Sequence, residues 1–196
     1  MAAAVDVEAT MRMLQVLVDE HRGFSVMLDV LDAIAGRLLD GKPVPAEMVS
    51  GAIDFFEHVT DGHHRQEEEL LFPLMAQHGI GADQTVVNAL LAQHDAGRAY
   101  TRKMRADAVG LVAGVPDASQ QLARHARSFV ELIREHIRIE DSYFYTLASE
   151  ILTNAERATM AEAFTLARAH RVPENQRGRY RAMLAEYPGI VEAWKR

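Results

Sequence analysis

Apolar residues recur along this chain at threes, fours and sevens, and no segment alternates with period two. Leu14, Leu17, Leu28, Leu31 and Leu38 mark one helical stripe, and Ala52, Phe56, Val59, Leu70 and Leu74 a second. Breakers separate four such segments: Asp40-Gly41-Lys42-Pro43-Val44-Pro45, His78-Gly79-Ile80-Gly81 and Gly114-Val115-Pro116-Asp117. Asp83 stands where an N-cap is expected, and Asp117 with Gln120 and Thr153 with Glu156 have capping-box spacing. Pro73 lacks an N–H, so the second helix is expected to kink or loosen near its end. A fifth helix is predicted over 154–170, with Met160, Phe164 and Leu166 as its apolar positions and Pro173 as its stop. Residues 174–196 read as a short helix and an apolar tail through Ile190 and Trp194, free to cap the bundle or to meet another subunit.

Histidines and glutamates interrupt these stripes in a pattern that repeats. His21 is followed 42 residues on by His63 and then Glu67; His94 is followed 42 residues on by His136 and then Glu140. The second set is the first displaced by 73 residues, and HHRQEEELLFPLM (63–75) aligns with HIRIEDSYFYTLA (136–148). The midpoints of His21–His63, His63–His94 and His94–His136 each fall inside one of the three breakers. Residues facing each other in an antiparallel helix pair lie equally far from the turn. The fold class expected is therefore all-α, an up-down-up-down four-helix bundle over 1–152 with the four histidines at one level. Residues 153–196 form a helical extension on the same domain.

Composition narrows the chemistry. The 196 residues are 48% hydrophobic and 25% charged, enough for one full core. A net charge of −7 argues against a general nucleic-acid binder, and the arginines between Arg168 and Arg181 read as a solvated surface. With no cysteine, disulfides, thiolate metal sites, iron–sulfur ligation and a cysteine nucleophile are excluded. No signal peptide or membrane span is expected from the sequence, and a cytoplasmic location is the natural expectation.

Residues four apart on a helix share a face, so His63 points with Glu67 and His136 with Glu140. Both pairs lie on the apolar stripe. Two carboxylates buried there without cations would cost several kcal/mol each. Four neutral imidazoles and two carboxylates around two divalent ions remove that cost, with two histidines to each ion and both carboxylates free to bridge. A single core histidine is more often a satisfied packing residue, but six ligand-type residues would each need a separate partner. A mononuclear zinc site needs only three ligands, and the Glu-x-x-His unit of ferritin-like centres is absent.

The order His…HxxxE…His…HxxxE, with HHRQEEELLFP and HIRIED around its HxxxE units, resembles the hemerythrin-like HHE cation-binding family over about residues 10–150. The resemblance implies a bundle holding two non-haem iron ions, bridged by oxo or hydroxo and carboxylate groups, with manganese or zinc as alternatives. Position by position it implies the ligands His21, His63, Glu67, His94, His136 and Glu140. Oxygen-carrying members have a fifth histidine, as HxxxH on the third helix; here that place is Arg98. Asp141 competes with Glu140, but the helical angle favours Glu140. Without the cysteine domain of iron–sulfur repair proteins or the partner domain of iron-sensing ligase subunits, the chain looks like a stand-alone bacterial hemerythrin-like protein. The reading that follows is reaction with peroxide or oxygen in an oxidative-stress or redox role, with catalase- or peroxidase-like turnover as its enzymatic form. The alternative is reversible oxygen, nitric oxide or iron binding or sensing without turnover. The expected partner is a diatomic ligand or peroxide.

Arg98 and Arg105 share the face of His94; Arg98 is expected either to touch a ligand carboxylate and the open coordination site or to pair with another acid. Tyr143, one turn beyond Glu140, takes the place Leu70 holds in the first repeat and is the candidate phenol at the metal. His64 lies about 100° from His63 and is the alternative ligand there. His58 reads as surface, His125 as a paired core histidine or the lining of a route, and His78 and His170 as structural.

Overall fold

The computed structural model describes the backbone of residues 7–81, 85–171 and 174–195, and the side chains of 14–81, 86–167 and 176–195. Every regular element among them is helical. Helix α1 (Val7–Leu39) fills the first predicted segment. The second is helical from residue 46 to 77 but not uniform: α2 (Ala46–Phe55), α3 (Asp61–Gln66) and α4 (Phe72–Gln77) are joined by π-helical turns at Phe56–Thr60 and Glu67–Leu71. The third is α5 (Thr85–Val112). The fourth is α6 (Ala118–Ile139), a π turn at Glu140–Phe144, and α7 (Tyr145–Ile151). Two further helices follow, α8 (Asn154–Arg171) and α9 (Glu174–Ala193).

The three breakers end their helices in one way. Gly41, Gly79 and Gly114 have φ of 67°, 84° and 72°, and the following amides bond back five residues, Lys42 N to Arg37 O at 2.9 Å, Ile80 to Met75 at 3.0 Å and Val115 to Gly110 at 2.9 Å. A left-handed residue at this place lets the chain reverse while satisfying the last carbonyls, and glycine adopts it without strain. The capping box at Thr153 forms as expected: Thr153 N donates to Glu156 Oε2 (2.8 Å) and Glu156 N to Thr153 Oγ1 (3.3 Å). The one expected at Asp117 does not form. Asp117 is itself left-handed (φ 61°) and makes no side-chain cap bond, because the turn after Gly114 uses its backbone, not its carboxylate. Asp83 and Pro173 lie outside the described residues.

Helix α6 packs along both α1 and α5, and α2 touches α1 and α5. The buried apolar residues form two clusters. One holds Phe24, Met27, Leu31, Ile53, Phe56 and Phe129; the other holds Leu17, Leu71, Phe72, Met75, Leu90 and Phe144. The histidines and glutamates that repeat at an offset of 73 are buried between elements that contribute to both. Each extension helix lands on one cluster: α8 adds Met160 and Phe164 to the second, and α9 adds Tyr180 and Met183 to the first. Leu166, expected to pack, is exposed. The expected short helix and tail is instead one 20-residue helix that runs through Pro188. Its docking explains the length. Tyr187 lies over Gly51, where a Cβ would meet its hydroxyl at 2.6 Å, and Arg37 sits over the Trp194 ring at 4.6 Å.

Candidate metal centre

All six residues singled out by spacing converge. His21, His63, Glu67, His94, His136 and Glu140 are each at most 2% exposed. The His21 and His63 Nε2 atoms face each other at 3.1 Å. Glu140 Oε2 is 3.1 Å from His136 Nε2 and 3.4 Å from His21 Nε2. Glu67 Oε2 is 3.6 Å from both His63 Nε2 and His94 Nε2. Each carboxylate therefore reaches imidazoles from both halves of the chain.

The outer nitrogens explain why the inner ones are bare. His21 Nδ1 donates to Asp141 (2.8 Å), His63 Nδ1 to Glu20 (2.8 Å), His94 Nδ1 to Glu68 (2.7 Å) and His136 Nδ1 to Gln93 Oε1 (3.1 Å). A carboxylate only accepts, so each neutral imidazole spends its single N–H outward and turns a lone pair inward. Two ring nitrogens 3.1 Å apart repel unless a proton or a metal cation lies between them. The Nε2 atoms of His64, His94 and His136 and one oxygen each of Glu67 and Glu140 are buried without a hydrogen-bond partner. Buried groups this polar are almost never left unpaired, whereas metal-bound histidines typically donate their other N–H to a carboxylate or carbonyl. The donor set fits a pair of cations.

The electrostatics agree. Burial alone would lower the His21 pKa, but the Asp141 and Glu140 carboxylates outweigh it and raise it to about 9, so with no cation among the carboxylates this ring takes up a second proton in its place. Burial lowers His63, His94 and, far more, His64, whose neighbours His94 and His136 add to the effect, so these rings stay in the neutral form that ligates. Glu67 is pushed well up by burial and by the Glu140 charge. Glu140 is held well down, because His136 and His21 overcome its burial.

The phenol at this site is Tyr145. Tyr143, expected on the metal stripe, is 54% exposed and points to solvent. The reason is the π turn at Glu140–Phe144: an i→i+5 turn carries one more residue than an α turn, so the side chain one turn beyond Glu140 is displaced from three or four positions on to four or five, and Tyr145 takes the place. The Tyr145 hydroxyl is buried, donates to Glu67 Oε1 at 2.5 Å and lies 3.4–3.5 Å from Glu140 Oε2 and the Nε2 atoms of His63 and His21. Burial and the two glutamates raise its pKa well above the ordinary value, so it keeps its proton. Arg98 does not reach the ligand carboxylates. It pairs with Asp61 (2.6 Å), Asp95 (3.1 Å) and Glu68 (2.6 Å), and through Glu68 it bears on His94. Arg105 pairs with Asp54 and Glu57, away from the site.

His64 is a second departure. It is not an alternative to His63 but buried alongside it, stacked on His94 with ring centroids 4.1 Å apart and planes 8° apart. Two donor groups result: His64, Glu67, His94 and His136 on one side, and His21, His63 and Glu140 on the other. The even division of four histidines expected from the sequence becomes three and two once His64 is included. Of the other histidines, His58 is exposed, His78 Nε2 bonds Glu156 (2.9 Å) and His125 pairs with Asp107 (2.6 Å). The side chain of His170 lies outside the described residues. A cavity of about 330 Å³, walled by Phe24, Phe55, Tyr180 and Leu184, ends at Glu20 and His63.

Helices that bury two opposed groups of imidazoles and carboxylates define a helical cation-binding domain. The chain belongs to the hemerythrin HHE cation binding domain family, whose model it matches over residues 12–148. The match stops before α8 and α9. Neither a curated protein nor a solved structure matches the chain. No described helix is long and apolar enough to cross a membrane.

Proposed function

We propose that this is a non-haem di-iron protein that reacts with peroxide or oxygen. Its ligands are His21, His63, Glu67, His94, His136 and Glu140, presented by segments 7–39, 46–77, 85–112 and 118–151 running up and down as a four-helix bundle. Residues 1–152 form the metal-holding unit and 153–196 its extension. One observation carries the reading: four imidazoles direct Nδ1 to outer acceptors and turn Nε2 toward two buried carboxylates, with the Nε2 atoms of His94 and His136 left without a hydrogen-bond partner. An imidazole–carboxylate donor set without thiolate suits iron, with manganese and zinc as the competitors.

When bound, a pair of iron ions supplies two electrons and open coordination positions to a small oxidant. The chain supplies the rest. Glu67 and Glu140 offset the charge of the ions and reach both donor groups. Phe24 and Phe72 pack against His63 and His94 and keep bulk water out. The Tyr145 hydroxyl, 2.5 Å from Glu67 Oε1 and 3.4 Å from His63 Nε2, holds a proton that it can donate to an oxygen atom bound among these groups. Glu68, clamped by Arg98, keeps the His94 ring in its ligating tautomer. Protein stripped and reloaded with ferrous iron should release oxygen from hydrogen peroxide, followed with an oxygen electrode. No release, combined with an absorption spectrum that returns fully on degassing after exposure to oxygen or nitric oxide, would favour reversible binding.

A further inference from the structure

The inner imidazoles and carboxylates of the two halves match at an offset of 73, with one difference among the buried side chains of these two types. Where the first half has His64, the second has Ile137. Ile137 sits in the apolar core, so the fold accepts a hydrocarbon at this place. His64 is 4% exposed and its Nε2 has no hydrogen-bond partner. It is stacked on His94, its ring centroid is 4.8 Å from that of His136, and its donor atom lies within 4.8 Å of those of Glu67, His94 and His136. A packing histidine would have its ring nitrogens satisfied or exposed; this one is buried with an unmatched nitrogen beside Glu67, His94 and His136, each of which also has an unmatched atom.

We propose that His64 is a seventh protein ligand, completing the ion held by His94, His136 and Glu67. The inference rests on the dinuclear reading above and makes the two ions unequal. One is bound by three imidazoles and shut in by the protein. The other is bound by two, on the side of the Tyr145 hydroxyl and the cavity at His63, and is the one a small oxidant or diatomic ligand reaches.

The test is metal binding and paramagnetic NMR on the full chain loaded with cobalt(II), compared with His64→Ile, the residue the other half carries, and His64→Gln as a second variant. The unaltered protein should bind two ions and show five exchangeable, strongly shifted imidazole N–H signals, from His21, His63, His64, His94 and His136. His64→Ile should lose one signal and bind one of the two ions at least ~10-fold more weakly, leaving the other unchanged. The signal count of the unaltered protein does not depend on either variant folding. Four signals in the unaltered protein, or two ions bound as tightly in a folded His64→Ile, would overturn the proposal and leave the dinuclear reading intact. Fewer than one ion per unaltered chain would overturn both.

Discussion

The halves of this molecule, α1 to α4 and α5 to α7, are built to one plan and finished differently. The plan extends beyond the six inner residues. The outer partners also repeat at 73: Glu20 with Gln93, and Glu68 with Asp141. So do two of the three π turns among the described residues, which begin at Glu67 in one half and Glu140 in the other, while the one at Phe56–Thr60 has no counterpart. The finish differs where each side chain meets the ions or their surroundings: His64 against Ile137, Phe72 against Tyr145, a carboxylate against an amide behind the matched histidines. Shared positions build a cradle for two cations; unmatched positions give the cradle an inside and an outside, a ligand-rich face and a face with a proton donor. Equivalent substitutions in the two halves therefore separate scaffold from chemistry.

The largest effect should come from the scaffold. His63→Ala and His136→Ala remove matched ligands, and each should release metal and strand Glu67 and Glu140, both fully buried. Leaving buried charge uncompensated costs about 3–5 kcal/mol, which for a chain of this size is a melting temperature lower by roughly 10 °C. Calorimetry with and without chelator checks it, since the loss should vanish when both proteins are metal-free. If only one of the pair destabilises, the halves are not equivalent and the common plan is wrong.

A sharper contrast comes from the unmatched ring. Tyr145→Phe removes one hydroxyl and its bond to Glu67, a change of about 1 kcal/mol in stability. Peroxide consumption should nevertheless fall by about 100-fold, the scale for losing a placed proton donor. Phe72→Tyr, at the matching position beside His94, should change neither greatly. Rates at saturating iron decide it; equal rates for Tyr145→Phe and the unaltered protein would remove the tyrosine from the chemistry.

A smaller, two-signed effect is expected behind the histidines. Glu20 draws on the His63 N–H as a carboxylate and Gln93 on the His136 N–H as an amide. A carboxylate makes the ring more basic and a better ligand. Glu20→Gln should weaken metal binding by up to about 10-fold, and Gln93→Glu should tighten it by a comparable factor. Competition with a coloured chelator measures both, and changes of the same sign would refute the argument.

These contrasts also show what the chain reveals before folding. The six inner residues and the three turns are visible because spacing and midpoints depend only on counting. The outer partners sit immediately beside their echoing ligands, at 20 and 21, 68 and 67, 93 and 94, 141 and 140, and the offset of 73 would have found them had it been applied to the neighbours. Tyr145 could not be reached this way. A reading at 100° per residue loses phase wherever a π turn inserts a residue, and two such turns start at the glutamates themselves. The same slip hides the true packing across the π turn and α4, where Leu71 and Met75 are fully buried instead of Leu70 and Leu74. The length of α9 is likewise set by what it lies on, Gly51 and Trp194's partner Arg37, and not by its own weak pattern.

The smallest effect concerns how the halves end. The first half stops at His78, whose Nε2 meets Glu156 at 2.9 Å; the second stops at Leu152, directly before the box in which Glu156 accepts from Thr153. One half-buried carboxylate thus ties both ends to the start of α8. The Thr153 hydroxyl and amide, with His78, hold its pKa down to about 2. A carboxylate depressed in the folded state stabilises fully above its unfolded pKa of about 4.5, and the contribution fades as pH falls from there through about 2. Glu156→Gln should lower the melting temperature by no more than about 2 °C at pH 7 and flatten its fall between pH 4.5 and 2, with metal content unchanged. A change in metal content would mean that the ends of the halves, and not only their middles, set the geometry of the ions.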